Sequence, residues 1–186
     1  MNIFLLNWDI ETCAQWHCDK HVVKMPLEST QMLCTVHWQN DSPAPYKLVH
    51  PKHPCTIWAG QTVENYSFLW NLAIALCKEY TFRYDKKHAC EKVLAFLKCP
   101  PKNITSRGFT KFAQAMPDEY KCNDPIIAYR SYYINEKIGI ATWKKRQPRA
   151  RICNWSSQTS CSPSFSWHKN KCITRAGVRS DLLWIQ

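Results

Sequence analysis

Residues 13–34, CAQWHCDKHVVKMPLESTQMLC, concentrate the side chains best suited to acid–base chemistry. His21 and Glu28 are seven residues apart, which is two turns of a helix, so they share a side if one helix runs through Pro26. General acid–base catalysis needs a group that titrates near pH 7 and a carboxylate that orients or partners it. We therefore predict a catalytic site at His21 and Glu28; the alternative is two satisfied polar residues on a half-buried face.

A second candidate is the segment FAQAMPDEYK at residues 112–121, where Pro117 precedes two acids. Loops carry binding and catalytic residues more often than core segments do. We expect Asp118 or Glu119 to position a water molecule for the same reaction. The alternative is that this segment is a structural cap over the domain.

A zinc site is a weaker possibility. Zinc in proteins is held by cysteine and histidine, and a spacing of two residues between ligands is common. The residues that could supply four ligands are Cys18, His21, His50, His53 and Cys55. Because the first two fall in a predicted helix, the main expectation is that no cofactor is bound, and that the loop histidines hydrogen-bond backbone groups.

The net charge of +11 favours a polyanionic partner, and we expect nucleic acid, in particular DNA. Aromatic residues make up 13% of the chain, so bases could stack on some of them, although many must belong to the core. A soluble protein that is merely basic is the alternative. The predicted phosphate contacts are Lys20, Lys24, Lys52, Arg83, Arg107, Lys111, Lys121 and Arg130.

The elements that position these residues are predicted to be helices, because apolar residues recur at intervals of three and four. We expect one mainly α domain over residues 1–148, with a short extended segment at its N-terminus. Residues 149–186 hold six lysines and arginines against a single acid and show no periodicity. They are predicted to form an irregular, poorly ordered basic tail.

Capping residues and prolines mark the ends of the helices. Asp9 is a predicted N-cap, and Asp124 followed by Pro125 is typical of a helix start. Four prolines between residues 39 and 56 indicate an irregular loop. The predicted helices span residues 10–38 with an interruption at Pro26, 56–84, 88–98 and 126–140.

Composition excludes some classes of protein. No apolar run approaches the roughly 20 residues of a membrane span, and the first residues lack the basic start of a signal peptide. We therefore expect a protein that is not secreted and does not enter a membrane. Eleven cysteines with no repeating spacing argue against a disulfide framework, so most should be reduced and buried. The oligomeric state is left open.

Four motifs together resemble a family of proteins from bacteriophages and large DNA viruses. They are CDKHVVKMPLE, HPKHPCTIWA, EYTFRY and FAQAMPDEYK followed by DPIIAYRSYY, and they cover about residues 1–146. The resemblance implies a viral protein at work in the cytoplasm or nucleus of an infected cell. It implies a source and not an activity.

The chain also resembles the small phage pyrimidine-dimer DNA glycosylases of the endonuclease V type. Ala14, His21 and Glu28 are similar to their N-terminal pattern, and residues 129–133, YRSYY, are similar to their aromatic ending. Leu27 and Gln31 stand where that family has arginines beside its glutamate. The resemblance implies a compact helical enzyme that acts on an extruded base, with Glu28 as the catalytic carboxylate.

The expected function is therefore a viral enzyme that acts on DNA bases or nucleotides, with the glycosidic-bond chemistry of a DNA glycosylase, a hydrolase or lyase serving DNA repair or modification. Glu28 would stabilise positive charge on the sugar, as an oxocarbenium-like state requires. Two alternatives stay open. One is a nucleic-acid-binding module without catalysis, possibly stapled by zinc, and the other is an enzyme for a small phosphorylated metabolite.

Overall fold

The structure is a computed structural model that describes residues 1–146 together with Ile152 and Trp155. The predicted mainly α fold is confirmed, and the described residues contain no β-strand. The α-helices are α1 (Ile10–Trp16), α2 (Asp19–Trp38), α3 (Pro54–Ala59), α4 (Val63–Tyr84), α5 (Cys90–Phe96) and α6 (Pro125–Glu136), and two 3-10 turns span Asp118–Tyr120 and Ile138–Ile140.

The first interruption lies at His17 and Cys18, not at Pro26 as the sequence predicted. His17 and Cys18 have extended backbone angles that end α1 and start α2. Pro26 lies inside α2, where it removes one N–H donor without ending the helix. The Thr30 hydroxyl donates to the Pro26 carbonyl at 2.7 Å, so the Thr30 side chain is hydrogen-bonded to its own helix one turn earlier.

The helix predicted for residues 56–84 is two helices. α3 begins at Pro54, after His53 accepts the Cys55 N–H at 3.2 Å as its N-cap. A break at residues 60–62 follows, and Thr62 then caps α4 by accepting the Asn65 N–H at 3.2 Å. Propensity and periodicity alone do not register a break this short.

Two predicted helix starts are confirmed. The Asp9 side chain accepts the Thr12 N–H at 2.9 Å and caps α1. The Asp124 side chain accepts the Ile126 N–H at 2.8 Å at the start of α6. In both cases a carboxylate oxygen satisfies a backbone donor that has no partner within the helix.

The core is built on α2 and α4, which make the most extensive contact between helices. α1, α3 and α5 pack around this pair. Residues 3–6 are buried and reach both α2 and α6: the Phe4 ring stacks on His21 with centroids 4.4 Å apart and meets Tyr133 edge-on at 5.4 Å. This extended segment therefore connects the helix that carries the candidate site to α6.

A buried ion network closes the domain. Arg83 donates to Glu79 at 2.7 Å and to Asp19 at 2.9 Å, and Arg146 donates to Glu79 at 2.9 Å. Asp19 also accepts the Lys144 N–H at 2.9 Å. The end of the helical region is thus fixed to the start of α2 and to α4.

Most of the predicted tail at residues 149–186 lies outside the described residues. Ile152 and Trp155 are the exceptions, and both are buried. Trp155 packs on Trp16 with ring centroids 5.0 Å apart, and the Arg130 guanidinium lies 4.8 Å from the Trp155 ring. Packing against the helical domain therefore continues past the predicted boundary at residue 148.

Candidate active site

Glu28 is a buried carboxylate with nitrogen donors on both of its oxygens. It is 7% exposed. The Asn2 N–H donates to Oε2 at 3.1 Å, and Lys24 Nζ lies 3.1 Å from Oε1. The amine of Met1 lies 3.9 Å from Oε2. Two amines compensate the charge of this carboxylate, so it can be buried without being left unpaired.

Asn2 joins three parts of the chain beside Glu28. Its Oδ1 accepts the Ile3 N–H at 2.8 Å and lies 2.9 Å from the Tyr129 hydroxyl of α6. Its Nδ2 donates to the Ala115 carbonyl at 2.8 Å. With both ends of its amide in use, Asn2 positions the backbone N–H that binds the carboxylate.

His21 is buried and lies about two turns before Glu28 on α2. Its Nδ1 lies 2.8 Å from the Tyr133 hydroxyl, which also accepts the Cys18 N–H at 2.7 Å. Because that amide already donates to the oxygen, we assign the hydroxyl hydrogen to the bond with Nδ1. The proton of the neutral ring is then on Nε2.

Burial, together with the smaller effects of His17, Lys137 and Lys24, lowers the pKa of His21 to about 3. His17 is fully buried, and burial lowers its pKa to about 4. Its Nδ1 lies 2.7 Å from the Cys13 carbonyl, and its Nε2 is buried without a hydrogen-bond partner among the described residues. Both imidazoles are therefore neutral at pH 7, and neither changes its protonation state between pH 6 and 8.

The His53 imidazole is hydrogen-bonded to the Met1 backbone. Burial, the Met1 amine and His50 lower its pKa, and the Glu28 carboxylate acts in the opposite direction. This mutual influence puts the His53 imidazole in the same electrostatic environment as Glu28. Burial raises the pKa of the neighbouring Cys55 thiol to about 11, so the thiol is protonated.

Asp118 and Glu119 are not brought to this site. Both lie exposed on a 3-10 turn. Asp118 forms an ion pair with Lys121 at 2.7 Å, and this bond lowers the pKa of Asp118. Within residues 1–146 neither acid makes a hydrogen bond to His21 or Glu28, so the water-positioning role predicted for them has no geometric support.

The candidate zinc ligands occupy different places in the fold and do not form one cluster among the described residues. Cys18 caps α2, His21 bonds Tyr133, and His53 caps α3. Across the described part of the chain, no group of three or more histidine, cysteine or acidic side chains is arranged to hold a metal ion.

Two of the predicted phosphate contacts are structural. Arg83 has no exposed surface, so the prediction that it binds nucleic acid is wrong. Arg130 donates to the Leu6 carbonyl at 2.9 Å, and its guanidinium lies 5.1 Å from the centroid of the Trp16 ring and 4.8 Å from that of Trp155. The six predicted contacts that are exposed and accessible to a ligand are Lys20, Lys24, Lys52, Arg107, Lys111 and Lys121.

Sequence reasoning did not predict the hydrogen-bonding roles of three residues at the site. These are the amide of Asn2 and the hydroxyls of Tyr129 and Tyr133. Each is brought in by a contact more than 100 residues apart along the chain. No local spacing encodes such contacts. The four-residue spacing of Lys24 and Glu28 is a local pattern, and it could have predicted their ion pair on α2.

No family model, no curated protein and no solved structure matches this chain. Among the described helices, none combines the length and the apolar character that crossing a bilayer requires.

Proposed function

We propose that this chain is an enzyme that cleaves the glycosidic bond of a DNA base, with Glu28 as the catalytic carboxylate. The observation that carries the proposal is the buried Glu28 side chain, which is held by the Asn2 N–H at 3.1 Å with two amines alongside. A charged carboxylate in a partly desolvated site stabilises developing positive charge more strongly than it would in water. The motifs that resemble those of viral proteins favour a setting in an infected cell.

The chemistry requires one carboxylate and one water molecule. As the C1′–N bond breaks, its electron pair leaves with the base, and the sugar gains oxocarbenium character. Glu28 stabilises that charge. Water then adds its oxygen to C1′ and gives up a proton, and the departing base takes up a proton, so the products are a free base and an abasic sugar.

His21 has a positioning role in this proposal. Its neutral ring is fixed by Tyr133 at 2.8 Å and by the Phe4 ring that stacks on it. With Nδ1 engaged, the Nε2–H is the donor that the ring can offer to a substrate oxygen or nitrogen. A neutral imidazole of this kind donates a hydrogen bond without adding a positive charge next to the sugar.

The experiment measures base release from ultraviolet-irradiated and from undamaged duplex DNA, scored as the abasic sites formed, because a dimerised base stays joined to its neighbour after its C1′–N bond is cut. We expect Glu28→Gln to reduce release by about 100-fold or more, since general acid–base and charge stabilisation contribute on this scale. Glu11→Gln is the matched control, because Glu11 is an exposed glutamate of α1 paired with Lys78 at 3.5 Å. An unchanged rate in Glu28→Gln, or no base release by the wild-type chain, contradicts the proposal.

The two amines on Glu28 favour a lyase variant of the same reaction. An amine would attack C1′ and displace the base; loss of a proton and opening of the sugar ring would then leave an imine. Borohydride reduces such an imine to a stable covalent link, and mass spectrometry of the peptides identifies the amine. Trapping at Lys24 or at Met1 supports this variant, whereas base release without trapping supports attack by water.

A further inference from the structure

Two large aromatic side chains are exposed to solvent and pack against the same neighbouring ring. Trp8 is 51% and Phe109 is 58% exposed. Each packs edge-to-face on the Phe68 ring, with centroids 6.0 Å apart in both cases. We call Trp8, Phe68 and Phe109 the aromatic ledge.

The ledge is supported by buried rings. Phe112 lies 6.1 Å from Trp8 and 5.9 Å from Phe68. Behind it, Trp58 contacts Phe112 with centroids 4.4 Å apart, and Trp58 is almost fully buried. A packed foundation of this kind holds the exposed rings in defined orientations.

The loop that carries Phe109 is also fixed. The Glu64 carboxylate accepts hydrogen bonds from the Ser106 hydroxyl, from the Arg107 N–H at 3.3 Å and from the Gly108 N–H at 3.1 Å. Gly108 has φ +81°, a conformation that favours glycine. The hydrogen bonds to Glu64 therefore fix the turn that exposes Phe109 to solvent.

Two cations flank Phe109 along the chain. Arg107 and Lys111 lie two positions on either side of Phe109, and both are exposed. In the part of the chain that the structure describes, neither forms an ion pair. Lys111 also lines an open cavity of about 390 Å³ together with Phe112, Gln114, Lys121, Cys122 and Asn123. Phe112 thus belongs both to the support of the ledge and to the cavity wall.

We propose that the aromatic ledge, with Arg107 and Lys111, binds an unpaired stretch of nucleic acid, and this choice of partner rests on the proposed function. Aromatic side chains stack on bases whose faces are free, while neighbouring cations hold the phosphates. Cations alone would bind a duplex as well, because they recognise only its backbone. The combination of exposed rings and unpaired cations fits a single strand.

The ledge is connected to Glu28 through packed side chains. The Phe112 ring lies 6.0 Å from the Tyr129 ring, and the Tyr129 hydroxyl lies 2.9 Å from Asn2, whose N–H donates to Glu28. A strand bound on the ledge would thus contact side chains that pack, through Phe112 and Tyr129, against the residue that holds the carboxylate.

The test measures fluorescence anisotropy with a labelled oligothymidylate of about 12 nucleotides and with an abasic strand of equal length. We expect Phe109→Ala to weaken binding of the oligothymidylate about tenfold or more while leaving the abasic strand unaffected. Lys111→Gln should weaken both strands by similar factors. Phe96→Ala is the matched control, since Phe96 is 59% exposed and lies on α5.

Equal affinities of Phe109→Ala, Phe96→Ala and the wild-type chain for the oligothymidylate would overturn the ledge proposal. The result is independent of Glu28. Loss of strand affinity in Phe109→Ala together with unchanged base release in Glu28→Gln would leave the ledge standing and refute the proposed enzyme. The reverse pattern would refute the ledge alone.

Discussion

The guanidinium of Arg83, which has no exposed surface, donates a hydrogen bond of 2.7 Å to the Glu79 carboxylate one turn earlier in α4. Its Nη1 donates to Asp19 and its Nη2 to the Gln15 carbonyl, both at 2.9 Å. Buried charges are tolerated when each has a partner, and they become costly when one partner is removed. Arg83 is therefore a structural residue, whereas its charge had suggested a phosphate contact.

We expect Arg83→Met to lower the free energy of unfolding by about 3–5 kcal/mol, because Glu79 and Asp19 lose their buried partner. Urea denaturation measures the change. Lys78→Met, in the same helix but exposed and paired only with Glu11, should change stability by less than about 1 kcal/mol. Similar losses in the two variants would show that the buried network contributes little.

Stability should fall below neutral pH because of His17 and His21. Burial lowers their folded-state pKa values to about 4 and about 3, against about 6.5 in the unfolded chain. Below pH 6.5 the unfolded state binds protons that the folded state does not. The free energy of unfolding therefore decreases as the pH falls from 6.5 toward the folded-state pKa values. The decrease is up to about 1.4 kcal/mol per pH unit for each histidine.

Urea unfolding between pH 7 and pH 5 tests this dependence, and His17→Gln should make it shallower. Exposed acids with lowered pKa values, such as Asp85 and Asp118, lose their contribution only below about pH 4. His88 provides a control of opposite sign, because its bond with Cys90 raises its pKa. Its stabilisation is lost as the pH rises, so His88→Gln should make the dependence steeper. The same slope in all three proteins would contradict the assignment.

Tyr133→Phe should cost about 1–3 kcal/mol of stability. The variant removes the oxygen that accepts the Cys18 N–H and bonds His21 Nδ1, and it leaves both without that partner in a buried site. Tyr132→Phe is the control, as Tyr132 is only partly buried in the same helix. Thermal unfolding compares the two, and equal melting temperatures would show that the hydroxyl is dispensable.

Nucleic-acid binding should depend steeply on salt, whereas binding of a mononucleotide should not. Each cation that contacts a phosphate of a single strand contributes about 0.7 to the slope of log affinity against log salt. Lys52→Gln should lower the slope for a single strand by about that amount if Lys52 holds a phosphate. An equally shallow slope for strand and mononucleotide would favour the alternative of a small phosphorylated substrate.

Cysteine reactivity should follow burial. Cys99 is exposed, whereas Cys13 and Cys55 are buried, and burial raises the pKa of each of these two thiols to about 11. Iodoacetamide at pH 8 should label Cys99 in the folded protein and leave the other two unlabelled, because the thiolate is the reactive form. Peptide mass spectrometry measures this, and guanidinium should make all three reactive. Rapid labelling of Cys55 in the folded chain would contradict its burial.

The helices could be predicted from the sequence, and Glu28 could be selected as a candidate, but the surroundings of that carboxylate could not be predicted. Helical periodicity and caps at Asp9 and Asp124 are local signals, so they could be recognised without a structure. The bond between Asn2 and Glu28 depends on how the N-terminal segment packs against α2, and no spacing encodes it. Arg83 was misassigned for the same reason, since charge alone does not distinguish an exposed residue from one paired in the core.

Asp19 also constrains the order of events during synthesis. Its carboxylate accepts from the Thr142 hydroxyl at 2.7 Å and from the Lys144 N–H at 2.9 Å, groups that the ribosome adds more than 120 residues later. A nascent chain that stops short of residue 142 therefore lacks these two partners for Asp19. Translation must pass this point before the start of α2 acquires all of its contacts.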